Sequence, residues 1–83
     1  MSNDVRYPQL IPMVQAVLDT LAEGIASEES AATELARLAD GMRDSQDMMA
    51  AALLGTSRGH AIKALALRGR RAALLAEYGL EPE

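Results

Sequence analysis

Apolar residues in the first third of the chain recur at the spacing of an amphipathic α-helix. Five of them follow one another at intervals of four and three: Leu10, Val14, Val17, Leu21 and Ile25. Proline is tolerated in the first helical turn, because the N–H groups there have no partner in the helix. We therefore expect a first helix over about residues 8–26, starting near Pro8 or Pro12.

A second start signal follows at Ser27-Glu-Glu-Ser. A serine N-cap accepts a free backbone N–H, and Glu28 and Glu29 oppose the positive end of the helix dipole. This pattern predicts a second helix over residues 28–54. Its apolar residues fall near heptad spacing: Ala31, Leu35, Leu38, Met42, Met49 and Ala52.

The third predicted helix covers residues 58–78. Gly55 suits the residue after a helix, Ser57 suits the next N-cap, and Gly79 ends the segment. This helix has two apolar faces, which indicates either a central helix in the bundle or contact with something besides its own chain. One face contains Ile62, Leu65, Gly69, Ala72, Ala73 and Ala76, and the other contains Ala64, Leu67, Leu74 and Tyr78.

These elements predict an all-α fold: a small three-helix bundle in which the second and third helices form a long hairpin. The 83 residues leave room for one domain, residues 1–83. The chain has no Phe or Trp, and its aromatic residues are Tyr7 and Tyr78. A core without large aromatic side chains buries little area per residue, so we expect the bundle to be oligomeric.

Charge is unevenly distributed around the net value of −4. Residues 58–76 contain five bases and no acid, whereas residues 1–57 contain nine acids and three bases. Arg68, Arg70 and Arg71 lie late in the third helix, where positive charge opposes the negative end of the dipole. The basic segment also suits an acidic partner or acidic neighbours within the chain.

From this we predict a non-enzymatic interaction or regulatory protein that acts by helix packing. Its partner is expected to be a second copy, another protein with an acidic surface, or both. Hydrophobic burial would supply affinity and the arginines would supply orientation. The predicted partner-binding residues are Leu67, Arg68, Arg70, Arg71, Leu74 and Tyr78.

The single histidine raises an alternative function. With Ser57 as N-cap, His60 is the third residue of its helix, where the dipole disfavours the imidazolium form. The run from His60 to Ala66 resembles the phospho-accepting motif of histidine-containing phosphotransfer domains. Those are helical bundles in which an exposed histidine, followed three residues later by lysine and then a small residue, receives phosphate from a receiver aspartate. The resemblance implies a phosphoacceptor role for His60 and a neutralising role for Lys63. A surface or capping histidine is the other interpretation.

The basic third helix leaves a second alternative, a small nucleic-acid-binding regulator. A pI near 4.9 and few side chains able to read bases argue against it. Asp40, Asp44 and Asp47 follow helical spacing, but interspersed arginines predict a solvated face in place of a cation site.

The sequence therefore predicts no metal site and no cofactor, and contains no P-loop or nucleophile elbow. Without an apolar stretch of 18 residues or a secretory leader, we expect no membrane span and a cytoplasmic location.

Overall fold

A computed structural model describes residues 10–80 and contains two long helices. Helix α1 is Ile11–Met42 and helix α2 is Asp47–Glu77. They pack side by side in a rod of 60 × 17 × 16 Å. The all-α fold and a long helical hairpin are confirmed, whereas the prediction of three helices is wrong. The hairpin does not pair residues 28–54 with residues 58–78 as predicted, because its turn lies within the predicted second helix. Pro8, one of the two predicted start points of the first helix, lies outside the described residues.

The predicted boundary at Ser27 lies inside α1, which continues without interruption from Ile11 to Met42. Ile25 is buried just before Ser27, and Ala32 is half-buried just after it. Serine and glutamate cost little in a helix interior, and packing of an apolar face outweighs such propensities. A good N-cap sequence therefore does not start a helix where the buried face runs on through it.

The predicted boundary at Gly55–Ser57 lies inside α2. Gly55 does not have a positive φ, so it is not a helix-terminating residue. The Thr56 hydroxyl donates to the Ala52 carbonyl oxygen at 3.1 Å, one turn earlier. The Ser57 hydroxyl donates across to α1, to the carbonyl oxygen of Ala32 at 2.6 Å. Both hydroxyls are thus satisfied without breaking the helix.

The turn between the helices is formed instead by residues 43–46. Gln46 leaves the helical conformation with φ −144° and ψ 72°. Its N–H donates to the Met42 carbonyl oxygen at 2.8 Å, and its own carbonyl oxygen accepts from the Ala50 N–H at 2.9 Å. The polar run Asp44-Ser45-Gln46-Asp47 was the available signal, because Asp and Ser favour turns through local hydrogen bonds.

The C-terminal end of α2 is where the sequence predicts it. Gly79 has φ +66°. Its N–H donates to the Ala76 carbonyl oxygen at 3.3 Å, and the Leu80 N–H donates to the Leu75 carbonyl oxygen at 2.8 Å. These two bonds form a Schellman motif, which favours glycine because other residues pay a steric penalty at positive φ.

Each helix buries one seam with alternating spacings of three and four, as in a coiled coil. In α1 the buried and half-buried seam positions are Ile11, Val14, Leu18, Leu21, Ile25, Glu28, Ala32, Leu35, Ala39 and Met42. In α2 they are Ala50, Leu53, Ser57, His60, Ala64, Leu67, Arg71 and Leu74, and the C-cap residue Tyr78 continues the spacing. The bonds from Ser57 to Ala32 and from His60 to Glu28 show that the helices are antiparallel.

Candidate interaction surface

The face of α2 that points away from α1 carries a second seam, again with alternating spacings of three and four. We call it the outer seam, and every member of it is exposed: Met48, Ala51, Gly55, Arg58, Ile62, Leu65, Gly69, Ala72 and Ala76. Arg58 is its one charged residue. Most other members of the seam are Gly or Ala, which would let another helix approach closely. The corresponding face of α1 is polar, with Asp19, Glu23 and Arg37.

The described residues leave more large apolar side chains exposed than buried. Ile62 and Leu65 are 66% and 67% exposed, and Met48 is 88% exposed. The other exposed large apolar residues are Met13, Val17, Leu38 and Met49, whereas the large buried ones are Val14, Leu18, Ile25 and Leu75. Most large apolar residues in the contact between the two helices are only half-buried, so a single hairpin covers them incompletely. Small helical proteins in this position gain stability by oligomerising.

The predicted apolar contact residues lie on the inner side of α2. Leu74 and Tyr78 are half-buried against the cluster of Val14, Leu18 and Leu75. Leu67 is half-buried, and its Cδ1 atom lies 3.2 Å from the position that a Cβ on Gly24 would occupy. These three residues therefore hold the hairpin together. Partner binding through them stays a prediction.

The three predicted arginines have different surroundings. Arg68 donates to Glu29 of α1 through Nε at 2.8 Å and through Nη2 at 2.5 Å. Arg71 is half-buried at the helix interface, and Arg70 is exposed beside Lys63. The arginines do not form one cluster, because successive positions of a helix point in different directions. One of them is already paired within the chain.

His60 lies in the interior of α2 and faces α1. Its Nδ1 atom is 2.5 Å from Oε1 of Glu28, and the two side chains are 29% and 26% exposed. The expectation that His60 is the third residue of a helix is wrong, since α2 begins thirteen residues earlier at Asp47. The half-buried contact with Glu28 does not match the exposed histidine of the phosphotransfer motif. Lys63 is exposed one turn later.

Two shallow grooves open on the side of the hairpin where Arg68 meets Glu29. One, of about 470 Å³, is lined by Glu29, Ala32, Thr33, Ala61, Ala64 and Leu65. The other, of about 290 Å³, is lined by Gln15, Leu18, Asp19, Ala22, Arg71, Leu75 and Leu80. Both lie along the helix–helix contact and border the outer seam. Shallow grooves of this kind suit the side chains of a second helix better than a small molecule, which binds in a pocket that encloses it.

The two helices differ in charge. Helix α1 has six acidic residues and one basic residue, a net charge of −5. Helix α2 has two acidic and five basic residues, a net charge of +3. On α1, a side-chain hydrogen bond from Arg37 lowers the pKa of the exposed Glu34 carboxyl. The positive charge of α2 favours ion pairs with acidic groups. The pair of Arg68 with Glu29 is one of them.

Within residues 10–80 no helix is long and apolar enough to cross a membrane. The same residues contain no group of three or more His, Asp or Glu side chains placed to hold a metal ion. Asp40 forms an ion pair with Arg43 at 2.8 Å, so one of the interspersed arginines pairs with a carboxylate of this acidic set.

No protein-family model matches the chain, and neither a curated protein nor a solved structure matches it. What the chain does is therefore inferred from the surface of the hairpin itself. The sequence showed both faces of the third predicted helix, but not which one α1 covers. Ile62 and Leu65, outside the predicted contact set, are the large apolar residues left exposed at the centre of α2.

Proposed function

We propose that this protein is a non-enzymatic interaction protein that acts by helix packing and associates with itself. The observation that carries the proposal is the outer seam of α2. Ile62 and Leu65 are about two-thirds exposed at its centre, and the seam contains a single charge, Arg58. The large side chains of Ile62 and Leu65 are neighbours on one face, and contiguous exposed apolar surface supports an interaction site.

The weakness of the isolated hairpin supports the same proposal. Its interface contains small residues such as Ala39, Ala50 and Ala64, and no large side chain in it is fully buried. Each apolar side chain covered by a partner adds about 1.5–3 kcal/mol when burial is complete. Covering Ile62 and Leu65 therefore contributes an appreciable share of the stability of such a small domain.

The proposal is tested by measuring the mass of the full chain in solution with light scattering over a range of concentrations. We expect an oligomer that the substitution Leu65→Glu weakens, because burying an unpaired carboxylate is costly. Ser30→Glu is the matched control, since Ser30 is exposed on the polar face of α1. A wild-type chain that stays monomeric at high concentration contradicts self-association.

A further inference from the structure

We infer that two copies pack through their outer seams, α2 against α2, in antiparallel orientation about a two-fold axis between Ile62 and Leu65. The inference rests on the proposed function and specifies the occupant and geometry of the surface. In this arrangement the α1 helices lie on the outside and the two α2 helices form the centre of the dimer.

The sizes of the seam residues fit an antiparallel pair. An axis between Ile62 and Leu65 places Ile62 of each copy opposite Leu65 of the other. The same register places Arg58 opposite Gly69 and Gly55 opposite Ala72. The large apolar side chains therefore meet at the centre, and the one long charged side chain extends over a glycine. Small residues in the outer layers allow the helices to lie close together, as packed helices do at 8–10 Å.

Charge distinguishes the antiparallel orientation from the parallel one. A parallel pair would place the two Arg58 side chains in the same layer, where like charges repel. In the antiparallel pair the two Arg58 residues are separated by roughly 16 Å along the axis at 1.5 Å per residue. This separation exceeds the screening length of about 8 Å at physiological ionic strength. In the antiparallel pair the dipoles of the two helices also point in opposite directions, which is the favourable arrangement.

The experiment uses engineered cysteines, because the natural chain has none. Full-length Ile62→Cys, carrying an affinity tag, is mixed with untagged full-length Leu65→Cys and oxidised under mild conditions. A disulfide needs Cα atoms within about 7 Å, so the antiparallel register predicts that most cross-linked product joins one tagged to one untagged chain. Val17→Cys is the control, since Val17 is exposed on α1. Circular dichroism checks that each variant remains helical.

Preferential cross-linking of the mixed pair, with little at Val17, supports the inference. Two other results overturn it. One is cross-linking confined to pairs of the same variant, which indicates a parallel pair. The other is cross-linking through Val17→Cys in a protein that scatters as a dimer. In both of these the proposed self-association survives and only the α2 geometry fails. A wild-type chain that scatters as a monomer overturns the proposed function and the inference together.

Discussion

The hydroxyl of Ser57 on α2 donates a hydrogen bond of 2.6 Å to the carbonyl oxygen of Ala32 on α1. Ser57 is 7% exposed and is the one buried polar residue among those described. The residue that the sequence suggests as a helix start is therefore a contact between two continuous helices. Its small size also allows the helices to approach closely beside Ala32.

The substitution Ser57→Asp tests whether Ser57 starts a helix or lies buried between two continuous helices. Aspartate is a good N-cap, so it would be tolerated at a helix start. At the buried position we expect a loss of about 3 kcal/mol or more, because an uncompensated buried charge is strongly destabilising. Urea unfolding measures the change. Ser27→Asp is the matched control on exposed helix surface and should change stability by less than about 0.5 kcal/mol. Equal, small effects at both sites would contradict the continuous α2.

Gly55→Ala and Gly79→Ala should have opposite effects. Gly55 is inside α2, and a Cβ there would meet nothing within 4 Å. In the Leu65→Glu background, where no second copy covers the outer seam, alanine at this site should stabilise the protein by about 0.5–1 kcal/mol. Gly79 has φ +66°, so alanine there should destabilise it by about 1–2 kcal/mol. Thermal unfolding compares the two variants, and a destabilising Gly55→Ala would point to a helix end at Gly55.

The contact between Glu28 and His60 should be coupled energetically. Removing one partner, as in Glu28→Leu or His60→Leu, leaves a half-buried polar group unsatisfied and should cost about 1–3 kcal/mol. Replacing both with leucine should be close to neutral or stabilising, because an apolar pair suits this seam. A double-mutant cycle by urea unfolding measures the coupling. Additive losses in the double variant would show that the two side chains do not interact.

The sequence predicted the helical class, the long hairpin and the glycine stop at Gly79, because these depend on local spacing and turn chemistry. It misplaced the internal boundaries because Ser27 and Ser57 both match the chemistry of a cap. Only the partner helix decides whether such a serine starts a helix or lies within one. The register between α1 and α2 is a tertiary property, and single-helix periodicity does not contain it.

Single-helix periodicity also does not show which face of α2 packs against α1. The spacing of α2 showed two apolar faces, and either could cover α1. Leu67, Leu74 and Tyr78 have larger side chains on average than the small residues around Ile62 and Leu65, so hydrophobic burial favours them on the inside. His60 and Glu28 are 32 residues apart in sequence. Their contact follows only once the helices are aligned.

The most direct test of the account is the mass of the full chain in solution, measured by light scattering for the wild type and for Leu65→Glu. We predict a wild-type particle of twice the 8.8 kDa chain mass. Its thermal midpoint should rise with protein concentration, because dimerisation stabilises the folded state by mass action. Leu65→Glu should require much higher concentrations to dimerise. A monomeric wild type, or a dimer unaffected by Leu65→Glu, would contradict the assignment of the outer seam as the interface.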